Sequence, residues 1–62
     1  MLKNYTVELL RHTCAVIVSD YVDGVRVDVR VTHYLTEVVR DAALVALRAE
    51  RAARGSIESV VA

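Results

Sequence analysis

The sequence predicts a small α+β protein in which an antiparallel β-hairpin, or a three-stranded sheet, packs on one long amphipathic helix, in the order ββα or ββαβ. Three observations in the 62 residues predict it. Val25, Val27, Val29 and Val31 alternate with Arg26, Asp28, Arg30 and Thr32, the period of two of a strand with one apolar face. Asp23-Gly24 stands just before that run and just after a β-branched, apolar run over residues 14–21, which is the arrangement of a hairpin. Beyond Leu35 the apolar period lengthens to about 3.6, the period of an amphipathic helix.

The elements follow in chain order. Tyr5, Val7 and Leu9 continue the odd-numbered apolar face, so residues 5–21 read as one long bent strand or two short ones, broken near His12-Thr13. A short helix capped by Asn4 competes, because Glu8, Leu9, Leu10 and Arg11 are good helix formers. Residues 25–34 form the next strand, and two registers are open. A three-residue loop with a bulge at Gly24 pairs Tyr21 with Val25, Ile17 with Val29 and Ala15 with Val31, and sets Asp20 opposite Arg26. A two-residue turn pairs Val18 with Val29 and Val16 with Val31, but presses Asp20 against the apolar Val27. The choice matters because a one-residue slip exchanges the faces of a strand, and the first is preferred. The helix spans residues 37–54, with Thr36 as N-cap, Glu37 in the first turn and Gly55 as the stop. Residues 56–62 add a short edge strand through Ile57 and Val61, or fray.

This reading assigns the leftover surfaces. Val38, Ala42, Val45, Ala49 and Ala52 make the helical stripe suited to the sheet, leaving Leu44 and Leu47 beside Arg40 and Arg51 on the other side. Val16 and Val18 share the strand face of Arg26, Asp28 and Arg30, away from the valine core. Val16, Val18, Arg40, Leu44, Leu47 and Arg51 are therefore the expected interface, and replacing both leucines by Gln should leave the fold intact.

Composition bounds the function. A monomer of about 60 residues buries only about 60% of its unfolded surface, and with no Phe, no Trp and three Tyr the core is thin. Assembly with other copies is one remedy. One cysteine, Cys14, makes no internal disulfide, so a reducing cytoplasm is the expected compartment, the host cytoplasm if the chain is phage-encoded. No apolar run approaches the roughly 18 to 20 residues of a membrane span, and polar Asn4, Thr6 and Glu8 after Lys3 do not read as a signal peptide. Eight basic and eight acidic side chains cancel, so nothing in the net charge draws the chain to nucleic acid or to anionic lipid.

The constellations that could carry chemistry have plainer explanations. His12, Cys14 and His33 would approach one another in the two-residue register, but their spacing matches no zinc module, so no metal is expected. His33 with Thr32 or Glu37 makes a proton-transfer pair only on paper, since the chain has no Gly-rich phosphate loop or paired carboxylates and is too short to enclose a pocket easily; no catalytic residue and no cofactor is expected. Arg26 and Arg30 on a ribbon, with Arg40, Arg48, Arg51 and Arg54, could meet phosphates. Asp28, Asp41 and Glu50 among them suit a salt-bridged, solvated face better.

The stretches YTVELLRHTCAVIVSD and VTHYLTEVVRDAALVAL, in strand-strand-helix order, resemble small bacteriophage and mobile-element proteins that pack a hairpin on one helix. The resemblance implies a protein that binds and occludes host machinery such as RNA polymerase or defence complexes, and it carries over no functional residue. The expected function is a non-enzymatic protein-binding module, a homodimer or higher oligomer, with a host protein as possible target. A nucleic-acid-binding β-ribbon protein and a virion or scaffold subunit are the alternatives.

Overall fold

A computed structural model describes residues 1–60. The chain runs through β1 (Lys3–Leu10), β2 (Ala15–Val22), β3 (Val25–His33), α1 (Glu37–Ala53) and β4 (Ile57–Ser59). It is an α+β fold with one four-stranded mixed sheet in the order β3-β2-β1-β4. Residues 3–10 are strand and not helix, and the break near His12 and Thr13 is a four-residue turn, residues 11–14, that folds β2 back on β1. The tail supplies β4, parallel to β1; Val61, counted above in a tail strand, lies outside the described residues. Parallel strands need a long crossover, and α1 is that crossover, carrying the chain from one sheet edge to the other.

Neither predicted register of the β2-β3 hairpin forms. Asp23 and Gly24 both take positive φ, at 51° and 81°, so the turn is the two-residue type whose twist matches the strands. Val22 pairs with Val25 and Tyr21 with Arg26; a bulge then leaves Val27 unpaired, and Asp20 meets Asp28, Ser19 meets Val29 and Ile17 meets Val31. The bulge restores odd-with-odd pairing, as in the preferred register, without its three-residue loop. Leu2 clasps the turn: its amide donates to Asp23 Oδ1 at 2.8 Å, and its carbonyl accepts from the Asp23 amide at 2.7 Å.

The helix begins where its cap was expected, Thr36 Oγ1 accepting from the Val39 amide at 3.2 Å. It ends in paired bonds from Gly55 to the Ala52 carbonyl and from Ser56 to the Arg51 carbonyl, both 3.0 Å, with Gly55 at φ +79°.

The core contradicts the surface assignment made above. Val16, Val18 and Leu44 are 2%, 5% and 5% exposed and pack with Tyr5, with Val7, Tyr34 and Leu47 partly buried against them. Val16, Val18, Leu44 and Leu47, expected at an interface, are thus the junction of helix and sheet. The stripe expected to lie on the sheet points away from it, with Val38 79% and Val45 68% exposed. Leucine removes more apolar area from water than alanine, and on the same side Arg48 and Arg51 reach the strand carboxylates of Glu58 and Asp20 instead of being buried unpaired. Burying the leucine side is the larger gain.

Candidate interaction surfaces

Pairing places Glu58 of β4, Tyr5 of β1, Asp20 of β2 and Asp28 of β3 side by side across the sheet, on the face beneath α1. The helix answers with arginines. Arg51 bonds Asp20 through Nε to Oδ1 and Nη2 to Oδ2, both at 3.0 Å, and its guanidinium carbon lies 5.9 Å from the Tyr5 ring centroid. Arg48 reaches Glu58, Nε to Oε1 at 2.7 Å, and the Tyr5 hydroxyl donates to the same oxygen at 3.2 Å.

The network shifts its members' ionisation. Burial, then the Glu58 hydrogen bond and charge, hold the Tyr5 phenol above its ordinary pKa, with Arg48 and Arg51 partly opposing. The Arg48 hydrogen bond holds the Glu58 carboxyl below its ordinary value against an opposing burial cost. Arg48 and Arg51 are raised chiefly by their bonds to Glu58 and Asp20. These groups neutralise one another and tie three strands to the helix.

The remaining interface residues and the constellations weighed above are engaged elsewhere. Arg40 pairs with Asp41 at 3.0 Å, and Arg54 pairs with Glu50. The three arginines of α1 and Arg54 at its C-cap are thus each engaged with an acid and present no shared phosphate-binding patch. Arg40 and Arg51, expected at an interface, have side chains only 15% and 14% exposed. His33 pairs with Ala15, one position from Cys14, and among the described residues no group of three His, Cys, Asp or Glu stands close enough to hold a metal.

A cleft of about 320 Å³ opens between α1 and β3, with Val16, Val18 and Leu47 at its base and Asp28, Arg30 and Arg54 on its walls. Its walls carry both signs of charge.

Two apolar surfaces remain. On the sheet face opposite α1, Val29 and Val31, 46% and 51% exposed, stand beside Ser19 and Ile17. The outer side of α1 presents Val38, Ala42, Val45, Ala49 and Ala52. Sequence reading found both sets of residues but counted both as core; periodicity identifies a stripe and is silent about which way it turns. No protein-family model matches the chain, and neither the curated proteins nor the solved structures contain a match to it.

Proposed function

We propose that this chain is a non-enzymatic protein-binding module that associates with copies of itself. The observation that carries the reading is a sheet apolar on both faces and covered on one. Burying an exposed valine fully is worth about 1.5–3 kcal/mol, and the open face holds Val29, Val31 and Ile17 in adjacent strands. The thin core leaves the isolated chain little stability in reserve, so a second protein surface supplies what the fold does not. The resemblance to phage proteins that occlude host machinery would use the same kind of face, with a host protein as a further occupant.

Sedimentation equilibrium over nanomolar to high micromolar concentrations, paired with thermal melts, tests the proposal. The expected result is an apparent mass that rises with concentration and a melting temperature that rises with it. A constant monomer mass with a high, concentration-independent melting temperature would overturn it.

A further inference from the structure

We infer that two copies of this chain join through the outer stripe of α1 as an antiparallel helix pair, an inference that rests on the self-association proposed above. Val38, Ala42, Val45, Ala49 and Ala52 follow one another at steps of four, three, four and three, the spacing of a seam between two helices. They lie opposite Leu44 and Leu47, so the seam faces away from this copy's sheet.

Volume and charge both select a second copy running the other way. With Ala42 against Val45 of the other copy, Val38 meets the other copy's Ala49, and the two-fold axis repeats both contacts. Each valine then faces an alanine, the alternation of large and small that fills an interface evenly. A parallel pair would stack valine on valine and alanine on alanine, leaving gaps at the alanine layers. Asp41 and Arg48 sit on one flank of the stripe, two turns apart. Antiparallel pairing brings Asp41 of each copy beside Arg48 of the other, whereas a parallel pair sets them against Ala46 and Ala53. Both groups have capacity to spare: Arg40 uses only Oδ1 of Asp41, and Glu58 engages Nε and Nη2 of Arg48. The open valine faces of the two sheets then look outward in opposite directions.

Cross-linking in a Cys14→Ser background tests the arrangement in the full chain. Val38→Cys mixed with Ala49→Cys should give a disulfide-linked dimer, and neither variant should do so alone. In the antiparallel pair, identical positions lie roughly 16 Å apart along the seam, beyond the roughly 7 Å that a disulfide spans. Val45→Lys, which removes two valines from each two-fold seam, should weaken the helix pair at least about a hundredfold, while Val29→Lys with Val31→Lys leaves the Val38–Ala49 cross-link in place. Cross-linking by Val38→Cys alone, or no cross-link in the mixture while the parent chain associates, overturns the helix pair and leaves the binding-module reading standing. Loss of association on changing Val29 and Val31 instead of Val45 does the same. A parent chain monomeric at every concentration overturns both.

Discussion

Arg51 joins the helix to two strands, bonding both oxygens of Asp20 on β2 and lying over the Tyr5 ring on β1. Charge-assisted, two-pronged bonds of this kind are among the stronger ones, and this one is largely shielded from solvent. Asp20→Asn should therefore cost about 1–2 kcal/mol, read as a lower denaturation midpoint. Leu44→Ala should cost about 2–5 kcal/mol by opening a cavity in the core, whereas Val45→Ala, one residue away on the outer side, should leave a dilute monomer's stability within about 0.5 kcal/mol. All three are readable by urea titration. The ionisable partners set the pH limits. Glu58 has a lowered pKa when folded, so its contribution is present above the ordinary carboxylate range and is lost as pH falls through that lowered value. Tyr5 has a raised one, so its contribution is present below the ordinary tyrosine range and is lost as pH rises through the raised value. Glu58→Gln should flatten the acid limb of a melting-temperature profile and Tyr5→Phe the alkaline limb; unchanged limbs would show that these bonds do not contribute to stability.

Elements were more legible than their orientations. Turn, cap and stop residues act locally, so Asp23-Gly24, Thr36 and Gly55 could be read one at a time, and each lies where its chemistry requires. Gly55 holds φ +79°, a conformation that costs a residue with a Cβ about 1–2 kcal/mol; Gly55→Ala should lower stability by that amount in a thermal melt, with helix content by circular dichroism retained. The phase of α1 was not legible, because two stripes compete for the sheet and the deciding fact is non-local: Asp20 and Glu58, on two different strands, receive Arg51 and Arg48. The faces of β3 were misread for a related reason. Alternation shows that one face is apolar, and nothing in β3 alone says that the helix lies on the side of the other. The usable signal was in β2, whose apolar run over residues 15–18 continues through both faces, as a central strand buried on both sides does. That run marks Val16 and Val18 as core as plainly as the valine ladder suggested they were not. Among the six residues expected at an interface, the three that are at most 5% exposed, Val16, Val18 and Leu44, all belong to this junction of β2 with α1.

At the scale of the whole molecule, the chain's first strand and its last lie side by side, and Tyr5 reaches Glu58 across 53 positions of sequence. The two hairpins, β1 with β2 and β2 with β3, join neighbours in sequence and can form in about 1–10 μs. The parallel β4-β1 ladder can form only after α1 has crossed the sheet, and the entropy of closing so long a loop must be spent before any of its bonds is made. Refolding should therefore be gated by nucleation among the three antiparallel strands and α1, with β4 docking late. Glu58→Gln is then expected to raise the unfolding rate while leaving the folding rate nearly unchanged in stopped-flow measurements. Amide exchange would show the same order in reverse: β4 and the adjoining edge of β1 open first, and the amides of β2, held between two strands, open last.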